Sequence, residues 1–552
     1  MKRTADPHRL MAGICLGLIA HASPSFAATE LQGPTPPAPQ TADPAALPRS
    51  TPAPAIAGEV SGGARVKITR LQLEGCRAIA CTALLERLGP LPEQALNLRD
   101  IEGLAQGVAG LYKQSGYPFV QVAVPPQRVN DGVLTLRIVE GVLGKATVEG
   151  KDPLVPSAQP FLTHGLPQGE PIRETSIERT MLLLNDQPGF KVRPVLKPGA
   201  QLGEGDLVVG VERENHVSGE LGLDNIGSRS TGPYRAKASL AVNSPFRFGD
   251  RLAINALRTN ENMWLGSLDY DAPLGVEGWR GQIGWARTSY QLGGAFAALE
   301  AHGYADTGTV KLSYPMLRSQ VSNLLLSTTY LHKNLQDRYD AADLVKDKSS
   351  QLLMLAAQFD HRDGLFGGGV SYGQISLSAG QLQLDAASQA VDDTTARSAG
   401  HFTKANIDIA RIQKLTGAFS AYGRVSAQWT PDNLDSSEKY GLGGFLGVRA
   451  YPLGEATGDK GWLAQFELRM STGDFTPFIF ADAGQIKLNA HPWDDSVANQ
   501  RTIAGAGLGV RWSHQGWSVE STLAGRLHGG ASQAETPDQP VRFFVTLSRR
   551  FD

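Results

Sequence analysis

Cys76 and Cys81 are the two residues whose spacing allows a covalent bond within the chain. Their C-x4-C separation suits a disulfide that closes a turn, whereas it matches zinc sites poorly and has no histidine nearby. Cys15 lies in an N-terminal segment that we expect to be removed. The sequence therefore predicts a Cys76–Cys81 disulfide if the chain reaches an oxidising compartment.

The sequence lacks the motifs that carry catalysis in common enzyme classes. It contains no G-x-S-x-G, no H-E-x-x-H, no phosphate-loop lysine and no paired-cysteine metal site, and its histidines are scattered. Two glycine clusters, at 367–369 and 505–509, match neither a complete dinucleotide fingerprint nor a phosphate loop, and they indicate close backbone packing. We therefore predict a protein that is not an enzyme and that needs no metal or cofactor.

Charge and hydropathy exclude two further classes. Lysine plus arginine number 52 and aspartate plus glutamate 54, so no global positive field exists to hold nucleic acid. Downstream of the N-terminal segment, no apolar run approaches the ~18 residues that a membrane-spanning helix needs. Nucleic acid is therefore not expected as a partner, and a helical membrane protein is excluded.

The N-terminus has the order of features that is typical of an export signal. Basic residues precede the apolar run Leu10–Ala20 and the small-x-small site Ser25–Ala27, which predicts a signal peptide over residues 1–27. A short buried helix of a cytoplasmic protein is the alternative. Residues 28–64 are rich in proline and alanine, a composition that predicts an extended linker without a core.

Two consecutive segments then repeat the order strand, helix, helix, strand, strand. In residues 65–142, apolar residues at helical spacing predict a helix over Leu98–Gln114, and β-rich runs before and after Asn130–Gly132 predict a hairpin. Residues 143–214 show the same pattern. We therefore predict two small α+β modules in tandem.

From residue 215 to residue 552 the helical period gives way to alternation of apolar and polar residues. Tyr234–Asn243 has an apolar and a polar face, and similar runs recur up to the C-terminus. A soluble β-sandwich would show the same alternation, but the export signal and the aromatic strand ends favour an outer-membrane barrel. At roughly twenty residues per strand with its connection, the segment predicts about sixteen antiparallel strands. The polar stretches 334–349 and 386–399 are predicted to be loops.

Four short stretches carry a family resemblance. They are Leu111–Pro118, Leu223–Ser228 followed by Thr231–Gly232, Gly447–Pro452, and Phe480–Gly484. Over nearly its whole mature length the chain resembles the outer-membrane transporters of two-partner secretion, the hemolysin-activator type of the assembly-factor superfamily. The third and fourth stretches are the most specific.

The resemblance implies an all-β transmembrane barrel preceded by two polypeptide-transport-associated (POTRA) domains in the periplasm. It also implies a long loop, near residues 443–460, that folds back into the barrel lumen with an arginine at its tip. Arg449 occupies that place, between Val448 and Tyr451. The usual pattern is V-R-G-Y, whereas this chain has Ala450, and alanine tolerates a positive φ poorly.

Asp482 and Gly484 belong to the fourth stretch, on a predicted strand of the barrel wall. Asp482 has the same phase as Phe478 and Phe480. If it faces the lumen, an arginine partner would offset the cost of removing its carboxylate from water. We therefore predict a charge-assisted, bidentate contact between Arg449 and Asp482.

The resemblance implies a translocation pore in the bacterial outer membrane that secretes, and may activate, an unfolded exported partner without nucleotide. The expected partner is a large β-helical protein of the hemolysin or adhesin kind, and outer-membrane lipid surrounds the barrel. The first alternative is an insertase for other outer-membrane proteins, and the second is a passive diffusion pore. Insertases tend to carry more periplasmic modules and pores carry none, so two modules with the V-R-x-Y loop favour export.

Overall fold

The computed structural model describes residues 65–201 and 203–551. The predicted signal peptide, 1–27, and the predicted linker, 28–64, lie outside the described residues. In the described part of the chain, the helices are all too short or too polar to cross a membrane.

The first module, residues 65–141, is a three-stranded sheet covered by two helices. Its elements are β1 Arg70–Glu74, α1 Cys81–Leu88, α2 Leu98–Gln114, β2 Val120–Ala123 and β3 Val133–Glu140. The strand order is β1-β3-β2, with β1 parallel and β2 antiparallel to β3. Helix α2 begins where Asn97 and Asp100 form a reciprocal capping box. Its apolar face packs on the sheet through Ile101, Val108 and Tyr112.

Glu140, at the end of β3, joins the strand to the loop between β1 and α1. Its carboxylate accepts hydrogen bonds from the Tyr112 hydroxyl at 2.6 Å and from the backbone N–H of Arg77 at 2.7 Å. Burial, together with this carboxylate, raises the pKa of Tyr112. Within the same loop, Cys76 and Cys81 form a disulfide in the structure.

The second module repeats the architecture and lies against the barrel. Its elements are β4 Val142–Glu149, α3 Gln159–Gly165, α4 Glu174–Asn185, β5 Phe190–Pro198 and β6 Glu204–Arg213, in the sheet order β4-β6-β5. Phe248 comes from the turn between the second and third strands that follow. It packs into the core of this module against Phe161 and Phe190, with ring centroids 6.1 and 4.7 Å apart.

The remaining strands form a closed barrel, which confirms the predicted fold class. Sixteen of the strands take part, each pairing antiparallel with its neighbours, and β24 closes the wall by pairing with β7. The barrel strands are β7 Val217–Asp224, β8 Arg235–Asn243, β9 Arg251–Thr259, β10 Trp264–Pro273, β11 Arg280–Gln291, β12 Ala301–Arg318, β13 Ser322–Tyr339, β14 Leu344–Asp363, β15 Gly369–Leu384, β16 Gly400–Lys414, β17 Phe419–Trp429, β20 Lys460–Met470, β21 Phe475–Lys487, β22 Gln500–His514, β23 Trp517–His528 and β24 Val541–Phe551.

The two faces of the barrel wall differ in chemistry, as the alternation predicts. Large apolar side chains such as Leu223, Ile254 and Phe543 are exposed on the outside. Charged side chains such as Arg424 and Glu467 face inward. Such a wall has a lipid-compatible outer face and a polar lumen.

One of the two predicted polar loops is mostly strand. Residues 334–339 and 344–349 belong to β13 and β14, which continue to the turn that joins them. On β13, Leu335, Asp337 and Tyr339 are buried on one face, whereas Asn334 and Arg338 are exposed on the other. Because the buried face includes the charged Asp337, the apolar-polar alternation that indicates a strand is obscured. The other stretch contains a helix, α5 Ala386–Asp392.

Candidate functional site: the loop in the barrel lumen

The chain between β17 and β20, residues 430–459, folds back into the lumen, and we call it the lumen loop. A short ladder, β18 Tyr440–Gly441 with β19 Thr457–Gly458, holds its two limbs together. At the tip, the N–H of Val448 donates to the Leu442 carbonyl at 2.7 Å. The loop is therefore a folded element with its own backbone hydrogen bonds.

Arg449 lies at the tip of the lumen loop and contacts Asp482 of β21 through a bidentate pair. Its Nε and Nη2 atoms donate to the two carboxylate oxygens at 2.8 Å each. The backbone N–H of Arg449 donates to the same carboxylate at 3.2 Å. Both residues are at most 3% exposed. The structure thus brings together the two residues that sequence reasoning paired.

A second carboxylate, Glu467 of β20, also binds Arg449. The Nη1 atom of Arg449 donates to Glu467 Oε1 at 2.7 Å, and the guanidinium carbon lies 3.6 Å from the centroid of the Phe480 ring. Glu467 also accepts from Arg469 at 2.7 Å and from Arg511 at 2.9 Å. The guanidinium therefore lies between two carboxylates and over an aromatic face.

Sequence reasoning missed the roles of Glu467, Arg469 and Arg511. The alternation places all three on the polar face of their strands, so the sequence indicates that their side chains face the lumen. Their mutual pairing depends on the register of β20 beside β21 and β22, which the sequence does not display. The register brings these side chains together on the inner wall.

Ala450 fits the tip because of a glycine on the facing wall. The φ angle of Ala450 is not positive, so the position does not require the conformation that favours glycine. Its methyl group is fully buried against Gly505 of β22. A Cβ added to Gly505 would lie 2.4 Å from the Ala450 Cβ, closer than carbon atoms pack.

Two other predicted residues, Val448 and Tyr451, belong to the tip of the lumen loop itself. Val448 is buried in an apolar cluster with Leu442 and Phe480. The Tyr451 hydroxyl donates to the backbone carbonyls of His528 and Gly530, at 2.8 and 3.0 Å. These carbonyls lie where β23 ends and the last connecting loop, residues 529–540, begins.

Gly484 lies on β21 and faces Leu442 of the lumen loop. A Cβ added there would lie 2.8 Å from a methyl carbon of Leu442 and 2.6 Å from the Trp462 carbonyl. A side chain at this position would therefore push the loop away from the wall.

The first limb of the lumen loop is held at a separate place by buried lysines. Glu438 accepts from Lys333 of β13 and Lys404 of β16, both at 2.7 Å. Burial acts to raise the pKa of Glu438, but the two lysines outweigh it and hold that pKa below its ordinary value. The carboxylate therefore stays charged, and the limb is anchored to two strands of the wall.

The second limb is joined to the last connecting loop through Glu455. Its carboxylate accepts from the Ser532 hydroxyl at 2.8 Å and from the N–H groups of Gln533 and Ala534 at 2.9 Å each, and it also contacts Arg501. The lumen loop and the last connecting loop therefore form one hydrogen-bonded unit.

The chemistry of the site is that of positioning. Arginine neither gives nor takes a proton under ordinary conditions, so Arg449 can hold a loop but cannot act as an acid or base. The described residues contain no group of histidine, cysteine and carboxylate side chains that could hold a metal ion. The arrangement fixes a loop inside a wide pore by contacts that are strong but local.

Comparison with known proteins gives two family matches. Residues 203–512 match the family described as haemolysin secretion/activation protein ShlB/FhaC/HecB. Residues 66–141 match the POTRA domain of the ShlB type.

Individual relatives agree with these matches. The heme/hemopexin transporter protein HuxB of Haemophilus influenzae is 26% identical over 471 residues, covering 83% of this chain and 82% of the relative. The hemolysin transporter protein ShlB of Serratia marcescens is 26% identical over 500 residues, covering 88% and 86%. The solved structure of CdiB from Escherichia coli is similar in fold, with a TM-score of 0.70, 19% identity, and coverage of 91% of this chain and 93% of that one.

Proposed function

The chain belongs to the haemolysin secretion/activation family, and we propose that it recognises its unfolded partner at the free edge of strand β2 in the first module. Members of this family are outer-membrane transporters, which agrees with the predicted function and location and favours export over the insertase alternative. The modules lie on the periplasmic side, so the opposite end of the barrel is the extracellular end. The proposal rests on a comparison of the four sheet edges in the two modules, namely on which edges have outward backbone groups that are free to pair.

Strand β2 has a free edge that points away from the sheet. The Phe119 carbonyl accepts from Gly141 across the β2–β3 pair, so Phe119 faces β3. Groups alternate along an antiparallel strand, and the N–H and C=O of Val120 and Val122 therefore face outward. Within the described residues these groups have no hydrogen-bond partner. An extended segment can add to such an edge through backbone hydrogen bonds.

The edge of β1 in the same module is partly covered. Arg70 donates to Gly132 toward β3, so the carbonyl of Leu73 points outward. The sulfur of Cys81 lies 3.3 Å from that carbonyl. The disulfide therefore occupies part of the edge that a partner strand would need.

Both edges of the second sheet are blocked by side-chain chemistry. On β4, the carboxamide of Gln159 donates to Ala146 O at 2.8 Å and accepts from Val148 N at 3.1 Å, as a neighbouring strand would. On β5, Gly199 donates to Glu204 toward β6, so Pro194 and Pro198 face outward and offer no N–H. Such devices prevent strand addition, which leaves β2 as the docking edge.

A groove between the two modules, near the segment that leads into β2, can take the apolar side chains of the docked segment. A cavity of about 550 Å³ lies between the two modules and is lined by Tyr117, Leu166 and Ile172. Arg77 and Arg173 lie on its margin. We propose that the partner presents an amphipathic segment here, with its apolar residues in the groove and its backbone on β2.

Transport then requires the lumen loop to move, because it occupies the pore through which the chain must pass. The contacts of Arg449 and Glu438 hold the loop at two separate places, so it can yield at the tip while the first limb stays anchored. We propose that the partner passes as an extended strand or hairpin, and that its folding outside the cell supplies the driving force without nucleotide. A large β-helical protein of the hemolysin or adhesin kind is the proposed partner.

The docking edge is tested by Val122→Pro against Val122→Ala in the full-length chain. Proline removes the outward N–H of residue 122 without removing a bond to β3, whereas alanine loses similar packing and keeps the N–H. We expect Val122→Pro to reduce secretion of the exported protein encoded beside this chain at least tenfold, and Val122→Ala to change it little. Equal secretion by the two variants would contradict docking on β2.

A further inference from the structure

The barrel wall has a notch where its first and last strands meet. Strand β7 ends at Asp224, opposite Thr546, while its neighbour β24 continues outward to Val541. Strand β8 begins at Arg235, which pairs with Asp224, so β7 and β8 end at the same level. Strand β24 therefore extends beyond the β7–β8 hairpin at the extracellular end, which leaves a step in the wall beside residues 541–545, and we call this step the notch.

Asn225 already occupies part of the backbone edge of β24 inside the notch. The N–H of Asn225 donates to the Val545 carbonyl, and its side-chain amide donates to the Phe543 carbonyl at 2.9 Å. The Val545 N–H donates to Asn225 Oδ1 at 2.7 Å. A further strand could bind here only by displacing Asn225, whereas an acyl chain needs no hydrogen bonds.

The notch opens onto the outer face of the barrel as a cavity of about 680 Å³. Apolar side chains form its floor, and they are Leu223, Ala236, Val545 and Leu547. Tyr234, 64% exposed, stands at its extracellular rim. Ala236 leaves room at the centre because its cross-strand neighbours, Leu223 and Arg258, are larger.

Arg258 supplies a positive charge at the same place. It lies directly across from Ala236 and shares the outward phase of Ile254, so its guanidinium is on the lipid side of the wall. Within the described residues it has neither an ion pair nor a hydrogen bond to its side chain. Arg258 lies at the extracellular boundary beside Tyr234 and Trp264, which is the level of the lipid headgroups.

We propose that this notch binds one phosphorylated glycolipid of the outer leaflet, with an acyl chain on Leu223, Ala236 and Leu547 and a phosphate at Arg258. The long apolar floor matches an acyl chain, and the guanidinium fork matches a phosphate. A soluble phosphate would use only the arginine and would leave the floor uncovered. The bound lipid covers the step between β24 and the β7–β8 hairpin.

Native mass spectrometry of the purified full-length protein in neutral detergent, titrated with bis-phosphorylated lipid A, tests the proposal. We expect the wild type to retain one lipid A molecule, and Arg258→Ala to weaken its binding about tenfold through loss of the charged contact. Ala236→Trp, which fills the floor, should weaken it at least as much. Arg258→Ala leaves the apolar floor of the notch intact, so it provides the decisive test if the tryptophan variant does not fold.

Arg287→Ala is the matched control. Arg287 is an outward arginine two strands away, which stacks on Tyr304 at 4.5 Å and pairs with Asp306 at 3.5 Å. The control should bind lipid A as the wild type does, and fully dephosphorylated lipid A should bind the wild type about as weakly as lipid A binds Arg258→Ala. Unchanged binding by Arg258→Ala, an equal loss in Arg287→Ala, or displacement of the lipid by inorganic phosphate alone would overturn the proposal.

Discussion

Arg449 is shared between Asp482 and Glu467, two carboxylates that approach it from adjacent strands. Taking these groups out of water is costly, and buried ion pairs often contribute little net stability. Their directional hydrogen bonds nevertheless define one position for the loop tip. The ion pair therefore determines the position of the loop tip more than it stabilises the barrel.

The first prediction separates these two roles. We expect Arg449→Ala and Asp482→Ala each to insert as heat-modifiable barrels and to lower partner secretion strongly, while pore conductance changes because the tip is released. Removing Arg449 leaves Asp482 buried without a cation, so the double variant should be no worse than Arg449→Ala alone. Secretion assays and planar-bilayer recordings measure the outcome, and additive losses would indicate that the residues act independently.

Ala450 and Gly505 give a second prediction at the same scale. Because a Cβ on Gly505 would clash with the Ala450 methyl, Gly505→Ala should displace the tip and reduce secretion. Adding Ala450→Gly removes the clash and should restore secretion. Gly525→Ala on the next strand is the control, since a Cβ there meets nothing within 4 Å. Failure of Ala450→Gly to rescue would place the defect elsewhere.

The sequence identifies individual residues of the site better than it predicts the contacts between them. Arg449 and Asp482 stand in recognisable stretches, but the phase that Asp482 shares with Phe480 leaves open whether it faces the lumen or the lipid. The sharing of Arg449 with Glu467, and the fit of Ala450 to Gly505, depend on distances across strands. Such distances follow from register, which a single sequence does not display.

Among the elements, helix α2 begins and ends where the sequence predicts. Asn97 and Asp100 form a capping box, and Gly116 follows its last turn in a left-handed conformation, so local chemistry fixes both ends. The outer parts of β13 and β14 have no such signal. There the buried face of β13 carries the charged Asp337 between Leu335 and Tyr339, so the alternation is obscured although both strands are fully paired.

The loop between β1 and α1 carries the third prediction. We expect Cys76 and Cys81 to be disulfide-bonded in the mature protein, so intact mass analysis without reduction should find neither thiol open to alkylation. Closing this short loop should stabilise the first module by about 2 kcal/mol through loss of unfolded-state entropy. Cys76→Ser/Cys81→Ser should lower its unfolding midpoint, and alkylation of both wild-type thiols would contradict the bridge.

For the whole molecule, strand number follows from chain length and alternation, whereas the contact between barrel and modules does not. Phe248 inserts into the second module, and Arg318 of β12 binds Asp186 at 2.7 and 2.8 Å. Arg213 of β6 binds Asp152 at 2.8 Å within that module and reaches the Asn243 carbonyl at the end of β8. The sequence separations of these pairs carry no pattern that would predict them. They fasten the second module to the periplasmic rim of the pore.

Among the residues that the structure describes, the first module has no comparable attachment to the barrel, and this difference gives the last prediction. Its core, built around Leu84, Val108 and Leu136, is separate from the core that contains Phe161 and Phe248. Deleting residues 65–142 should therefore leave a heat-modifiable barrel in the outer membrane, with the second module still docked through Phe248. The same deletion removes the β2 edge, so secretion of the partner should be abolished.

Full-length Val122→Ala, which keeps that edge, provides the reference for expression and export. Undiminished secretion by the deleted protein would show that recognition lies outside the first module, and loss of the barrel would show that the two modules do not fold separately.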